Sequence, residues 1–206
     1  MAEILNSTNF PTSFADSAAL EEFMTRPSQA LIDDLATLDG DIMVLGVGGK
    51  MGPTLARLAK RAAPDKRVIG VARFSEAGLE DDLQSHGVET IACDLLDRDA
   101  VAALPDVANV VFMAGRKFGS AGAEELTWAM NVHVPAIVAE RFHQANIVTF
   151  STGCVYPFMP IDSQGAIEAM PATPPPGEYA NSCVGRDLPG WQTISWSTCP
   201  IRELWI

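Results

Sequence analysis

Hydrophobic residues recur along the start of the chain at the spacing of an amphipathic helix. The spacing predicts helices over 17–24 and 28–38, separated by an Arg-Pro pair and closed by an Asp-Gly pair. We therefore expect residues 1–40 to form a helical extension that covers the domain after it.

From residue 41 onward, short apolar runs alternate with helical patterns. The runs predict strands at 41–47, 66–73, 88–95, 107–115 and 146–156, and the segments between them predict helices at 53–63, 78–86, 97–104 and 124–146. Strands that alternate with helices form parallel sheets with right-handed crossovers. The expected fold class is α/β, a doubly wound parallel sheet of the Rossmann type with an N-terminal helical extension.

The pattern changes after residue 156. Six of the fourteen prolines lie between 157 and 176, which predicts a loop, and a helix restarts at Glu178. Residues 187–206 show neither pattern and hold three of the four tryptophans. We expect one domain over 41–186, followed by an atypical tail over 187–206.

The composition narrows the classes of function. Hydrophobic residues make up 48% of the 206 residues, enough for a sizeable core, and the net charge of −12 disfavours nucleic acids and anionic membrane surfaces as partners. The start of the chain does not look like a signal peptide, and there is no apolar run of about 18 residues, so we expect a cytoplasmic protein. The four cysteines and three histidines show no metal-ligand spacing, and we expect no metal site.

A glycine-rich segment, GVGGKMG, joins the first predicted strand to a helix. Glycines let backbone N–H groups approach a pyrophosphate, and a helix N-terminus adds partial positive charge. Gly46, Gly49 and Gly52 form G-x-x-G-x-x-G rather than the strict dinucleotide motif, and Lys50 followed by Met51 excludes a P-loop. We expect the loop to bind a dinucleotide; a tight turn that binds nothing is the alternative.

Other candidate contacts follow the next strands. Arg73 stands where dinucleotide-binding folds contact the adenosine ribose, and it suits a 2′-phosphate, which favours NADP slightly over NAD; an exposed strand-end charge is the alternative. Asp94 is placed to accept from the adenine amino group; for Asp94, and for the pair after the fourth strand, a residue that only caps its strand is the alternative. The small pair Ala114-Gly115 leaves room for a cofactor across the sheet edge.

A hydroxyl pair and a tyrosine supply candidate chemistry. Ser151 and Thr152 follow the fifth strand, and Tyr179 begins a helix. Hydride transfer at a carbonyl needs one hydrogen bond to polarise the oxygen and one group to exchange its proton. Because a phenol has a pKa near 10, the tyrosine also needs a nearby cation to act as a base at neutral pH.

These features together resemble the extended short-chain dehydrogenases/reductases, in particular the NAD-dependent epimerase/dehydratase family, which includes nucleotide-sugar epimerases and dehydratases. The resemblance extends over residues 41–186 and rests on the glycine loop, Asp94-Leu95, AGRK at 114–117, Asn131, STGCVY at 151–156, and Tyr179.

The resemblance implies roles for these residues. Thr152 is the catalytic hydroxyl, with Ser151 just before it, and Tyr179 is the catalytic tyrosine. The implied cofactor contacts are the glycine loop with Lys50 and Met51, Asp94-Leu95, Ala114-Gly115, Lys117, and Asn131 on the helix that lines the site.

The chain departs from the family pattern at the expected cation. Cys183 stands where Y-x-x-x-K would place a lysine. Arg186 lies seven residues after Tyr179, on roughly the same helix face. Its charge reaches the site if the side chain folds back; a solvated arginine is the alternative. Pro157 replaces a glycine, a smaller departure.

The expected function is that of an NAD(P)-binding oxidoreductase or epimerase/dehydratase-like protein acting on a carbonyl or alcohol, such as a nucleotide sugar. The alternatives are a non-catalytic NAD(P)-binding module and an inactive truncated form, because only twenty residues follow Arg186 and we expect the family's substrate lobe to be missing. The resemblance also allows a homodimer through the helix at 124–146 and the Tyr179 helix.

Overall fold

A computed structural model describes residues 4–5, 10–119, 122–167 and 169–187 of the chain. The chain divides into two compact units, Met1–Asp94 with Pro105–Met113, and Leu95–Leu104 with Ala114–Ile206. In chain order the helices and strands are α1 (Ser17–Met24), α2 (Gln29–Thr37), β1 (Ile42–Leu45), α3 (Gly52–Ala62), β2 (Val68–Ala72), α4 (Leu79–Ser85), β3 (Glu89–Ala92), α5 (Arg98–Ala102), β4 (Asn109–Phe112), α6 (Glu124–Trp128), α7 (Val134–Arg141), β5 (Asn146–Thr149) and α8 (Glu178–Asp187).

The first unit contains a parallel sheet. β1 pairs in parallel with β2 and with β4, and β2 pairs in parallel with β3, so that the order in this unit is β3-β2-β1-β4. All four residues of β1 are buried. The strand order reverses between β1 and β4, and in such folds ligands bind at the carboxyl ends of the strands beside the reversal. The predicted α/β class with a parallel sheet is confirmed.

Both predicted N-terminal helices are present, and α1 has the predicted bounds. Leu35 of α2 belongs to a buried cluster with Ile42 of β1 and Ala62 of α3. Arg61 of α3 donates to Glu22 Oε1 at 3.0 Å, which attaches α1 to the same helix. The two helices therefore pack against the sheet unit, while a domain boundary at residue 40 stays a prediction.

The prediction of one long helix over 124–146 is wrong, because the helix is interrupted and ends before residue 146. α6 and α7 are separated by a π-helical segment, Ala129–His133, and α7 ends at Arg141. Pro135 explains the break in regularity, because a proline has no N–H to donate to the preceding turn. The predicted final residue, Asn146, instead begins β5.

The fifth strand is shorter than predicted. β5 ends at Thr149, and a 3₁₀ turn follows at Gly153–Val155. Thr152 begins this turn, because its Oγ1 accepts the Cys154 N–H at 3.3 Å and draws the chain out of the extended conformation. Most of the 187–206 tail lies outside the described residues. Among the described helices, none has the length and apolar character to span a membrane; a cytoplasmic location stays a prediction.

Candidate functional site

The glycine loop lies directly after β1 in the first unit. The N–H groups of Gly46 and Val47 both donate to Val71 O, at 2.9 and 3.1 Å, which attaches the start of the loop to β2. Gly46 has a positive φ of 86°, a conformation that glycine adopts without strain. Gly49 N then donates to Gly46 O at 3.1 Å, so the loop turns tightly before α3 begins.

Gly52 is sterically required where the loop enters α3. A Cβ at this position would lie 2.3 Å from Val47 O, whereas a Cβ at Gly49 would lie 3.4 Å from Gly46 O. The N-terminus of α3 has no side-chain capping hydrogen bond from Met51, and Met51 and Lys50 are exposed. A helix start of this kind presents backbone N–H groups and partial positive charge to an anion.

The structure places the other predicted contacts of the first unit on its surface. Arg73 is exposed immediately after β2, and Asp94 is exposed two residues after β3. Leu95, which begins the second unit, is 5% exposed. The side chains of Arg73 and Asp94 are therefore accessible to a cofactor, the side chain of Leu95 is buried, and the predicted cofactor contacts of all three residues stay predictions.

In the second unit, the segment after β4 is held by one buried side chain. The Arg116 N–H donates to Asn131 Oδ1 at 2.7 Å, and Asn131 Nδ2 donates to Arg116 O at 3.0 Å. Asn131 is 1% exposed and lies in the π-helical segment. The predicted cofactor contact of Asn131 stays a prediction; in the structure its amide fixes the backbone beside Gly115 and Lys117, which are both exposed.

The same amide reaches the tyrosine helix. Asn131 Nδ2 also donates to Ser182 Oγ at 2.9 Å, and Ser182 Oγ donates to Tyr179 O at 2.8 Å. Close packing supports this contact, because a Cβ at Gly185 would lie 3.0 Å from a methyl group of Val132. Asn131 therefore joins the segment after β4 to the first turn of α8.

Thr152 and Tyr179 are brought together in the second unit. Burial of the ring is the main reason that the pKa of Tyr179 is raised above its usual value, and a polar interaction with the Thr152 hydroxyl offsets part of this rise. Cys183 and Cys154 raise this pKa further. Ser151, next to Thr152, is partly buried. The pair predicted to polarise and protonate a substrate oxygen thus lies close together, with the phenol in its neutral form at neutral pH.

The charges near Tyr179 differ from the sequence-based expectation. Cys183 is 1% exposed and occupies the position of the expected lysine. The Arg186 guanidinium lies beside Gly115, with Nη1 3.7 Å from the position of a Cβ there. The Lys117 ammonium lies over the Tyr179 ring, with Nζ 5.8 Å from the ring centroid. We predicted Lys117 only as a cofactor contact, and its proximity to the tyrosine is not visible from sequence spacing.

Comparison with known proteins identifies the family. The profile of the NAD dependent epimerase/dehydratase family matches residues 42–182, the larger part of the chain. The protein belongs to this family, as its sequence motifs predict. None of the curated proteins matches the chain at a significant level.

Solved structures of similar fold are epimerases and related enzymes. ADP-L-glycero-D-manno-heptose-6-epimerase from Helicobacter pylori is 20% identical, with a TM-score of 0.62 over 75% of this chain and 50% of that chain. Bordetella bronchiseptica WbmG, solved with NAD and UDP, is 15% identical, with a TM-score of 0.60 over 73% of this chain and 48% of that chain. UDP-glucuronic acid 4-epimerase from Bacillus cereus, solved with NAD, is 20% identical, with a TM-score of 0.56 over 71% and 50%.

These likenesses confirm the Rossmann fold. The chain spans about half the length of the solved structures it matches. The family match and the structural matches therefore establish the family and the fold of this chain.

Proposed function

We propose that this protein binds a nicotinamide dinucleotide and acts as an oxidoreductase or epimerase on a carbonyl or alcohol group, with nucleotide sugars as the substrate class. The observation that carries the proposal is that the side chains of Thr152 and Tyr179 lie close enough together in the second unit to interact. The family and the titles of its NAD-bound structural neighbours support the choice of cofactor.

The residues of the glycine loop fit the phosphates of such a cofactor. Gly52 leaves no space for a side chain, and the α3 N-terminus lacks a side-chain cap from Met51. Gly46, Gly49 and Gly52 would hold the pyrophosphate through backbone N–H groups, and Asp94 would accept from the adenine amino group. A bound nicotinamide ring supplies the acceptor and donor of hydride.

The protein's own groups handle the substrate proton. When substrate binds, the Thr152 hydroxyl would turn its single proton from the Tyr179 phenol to the substrate oxygen, and Tyr179 Oη would take the alcohol proton or return it to the carbonyl oxygen. Because burial raises the pKa of Tyr179, the removal of a proton from the substrate alcohol is harder at neutral pH than the return of a proton to the carbonyl oxygen. Ser151, the residue just before Thr152, would be a second hydroxyl group beside it at the site.

Binding is tested by calorimetric titration of the full chain with NAD and with NADP. Arg73 is exposed after β2, which supports a contact with a 2′-phosphate and slightly tighter binding of NADP. Arg73→Met should then lower the affinity for NADP about tenfold or more and leave that for NAD unchanged. Absence of binding by either dinucleotide would contradict the proposal at its first step.

Catalysis is tested with Tyr179→Phe against a panel of UDP- and ADP-sugars. We expect a loss of about 10²- to 10⁴-fold in turnover with unchanged cofactor affinity. Cofactor binding without turnover in the unmodified chain would instead favour a non-catalytic dinucleotide-binding module, a function with which Cys183 at the lysine position agrees. A homodimer and a cytoplasmic location remain part of the proposal, to be measured by light scattering and cell fractionation.

A further inference from the structure

The cation that this site needs is close to Tyr179, but it comes from another part of the chain. Lys117 is the one lysine in the sequence after residue 66. Its Nζ lies 5.8 Å from the centroid of the Tyr179 ring and 5.6 Å from that of Phe118. We propose that Lys117 supplies the positive charge that supports ionisation of Tyr179 in this chain, where Cys183 occupies the lysine position of Y-x-x-x-K. The inference rests on the proposed function and assigns a residue to the same site.

The backbone contacts explain why Lys117 lies there. Arg116, its neighbour, is bound at both its N–H and its carbonyl by Asn131. The same amide is bound to Ser182, whose hydroxyl donates to the Tyr179 carbonyl. A single buried side chain therefore sets the start of Lys117 relative to the turn that carries Tyr179.

A cation in this position favours the phenolate over the phenol. A positive charge over an aromatic ring is attracted to its negative face, and the attraction grows when the ring carries a full negative charge. Lys117 is exposed, so water screens part of this effect. With the negative charge of the phenolate placed at the ring centroid, about 6 Å from Nζ, and an effective dielectric constant of about 40 to 80, loss of the lysine charge should lower the ionised fraction of Tyr179 about three- to tenfold at a pH below its pKa.

Other charged and titratable groups lie on the elements around Tyr179, but among the described residues Lys117 is the cation found over its ring. They lie on α8, on the 3₁₀ turn, on the segment after β4, and on α6 with its π-helical continuation: Glu178, Cys183 and Arg186; Cys154; Arg116; Glu124, Glu125 and His133. Cys183 and Cys154 act against ionisation of the phenol. Glu178 accepts from Trp128 Nε1 at 2.5 Å. Arg186 lies beside Gly115. Lys117 is a positioning residue in this arrangement, because its charge acts through Tyr179.

The chain offers a direct measurement of this effect. It has two tyrosines, so Tyr156→Phe leaves Tyr179 as the only one. Expression of Tyr156→Phe with 3,5-difluorotyrosine, whose phenol is more acidic than that of tyrosine, gives one ¹⁹F NMR signal that titrates while the protein remains folded. Circular dichroism at each pH checks the fold. If Tyr156→Phe does not fold, the same comparison is made with both tyrosines present and Tyr179→Phe assigns the signals.

The test compares variants of different charge at residue 117 in this background. We expect the pKa of residue 179 to be lowest with Lys117 and Lys117→Arg, higher in Lys117→Met, and highest in Lys117→Glu, with the differences reduced at high salt. Arg98→Met is the matched control, because it removes one positive charge from an exposed ion pair with Glu140 in the same unit. The titration should be unchanged in this variant.

Two outcomes would overturn the inference. One is an identical titration in Lys117→Met and in the unmodified background. The other is an equal shift in Lys117→Met and Lys117→Arg, which would indicate loss of packing rather than loss of charge. The experiment contains no cofactor or substrate, so its result is separate from the cofactor contact implied for Lys117 and from the binding and turnover tests of the proposed function.

Discussion

Asn131 Nδ2 donates to Ser182 Oγ across 2.9 Å, and both side chains are buried. The remaining bonds of the amide go to the backbone of Arg116, on both its N–H and its carbonyl. The Asn131 side chain thus joins its own π-helical segment to the segment after β4 and to α8, the helix that carries Tyr179.

Asn131→Ala should destabilise the protein by about 2 to 4 kcal/mol, because it removes the hydrogen bonds to the part-buried N–H and carbonyl of Arg116 and the bond that the buried Ser182 hydroxyl accepts. Urea unfolding followed by circular dichroism measures the loss. Asn181→Ala is the control, since exposed Asn181 donates only to the nearby Gly177 carbonyl, at 2.8 Å, and should cost about 0.5 to 1 kcal/mol. Equal losses in the two variants would show that the buried network does not stabilise the unit.

Gly52→Ala and Gly49→Ala should separate stability from cofactor binding. An alanine at 52 places its Cβ 2.3 Å from Val47 O and should cost several kcal/mol, on the order of 3, because backbone must move. An alanine at 49 meets Gly46 O at an ordinary 3.4 Å. It should leave the unfolding midpoint nearly unchanged while weakening NAD binding, since a methyl group would obstruct the approach of the pyrophosphate. Normal NAD affinity in Gly49→Ala would show that the phosphates bind elsewhere.

Cys183→Ala should shift the pH dependence of turnover to lower pH. Burial is the main reason that the pKa of Tyr179 is raised, and the charge and hydrogen bond of Cys183 raise it further. A phenol that acts as a base is active when ionised, so kcat/KM rises with pH below this pKa and a lower pKa gives more activity at neutral pH. Cys93→Ala, at another buried cysteine, is the control and should not move the profile. A shift to higher pH would contradict the assignment.

Glu22→Gln should weaken the attachment of α1, with an effect that disappears in acid. The Arg26 side chain, 2.6 Å from the Glu22 carboxylate, is the main cause of its lowered pKa, and Arg61 contributes. A lowered folded-state pKa stabilises the fold above the ordinary value near 4.5, and this stabilisation is lost as the pH falls through the folded-state pKa. Because Glu22 is partly exposed, we expect less than about 1 kcal/mol at neutral pH.

Stability as a function of pH checks this prediction. The difference between Glu22→Gln and the unmodified chain should close in acid. Exposed Glu76, in the turn after β2, provides the matched Glu→Gln control. A difference that persists unchanged in acid would show that charge is not its cause.

Local signals in the sequence were sufficient for most of the fold. Strand and helix alternation located β1 to β5, and the helical spacing of apolar residues located α1 and α2, whose first turns Asp16 and Ser28 cap in the structure. The continuous helix predicted over 124–146 is wrong, because the chain before Pro135 forms a π-helical segment and α7 ends at Arg141. That outcome depends on the packing partners of the helix, which a periodic pattern does not describe.

The sequence by itself determined the class of fold, the glycine loop and the identities of Thr152 and Tyr179, because each depends on short-range spacing or on the chemistry of a residue type. Only the tertiary structure decided which groups surround the tyrosine. Lys117 is 62 residues from Tyr179 along the chain. It lies over the ring because the Asn131 side chain binds the backbone of Arg116, just before Lys117, and also binds Ser182, on the same helix as Tyr179. Contacts of this range depend on how helices and loops pack, so the replacement of a lysine at 183 by a cation from another segment becomes visible only in the folded protein.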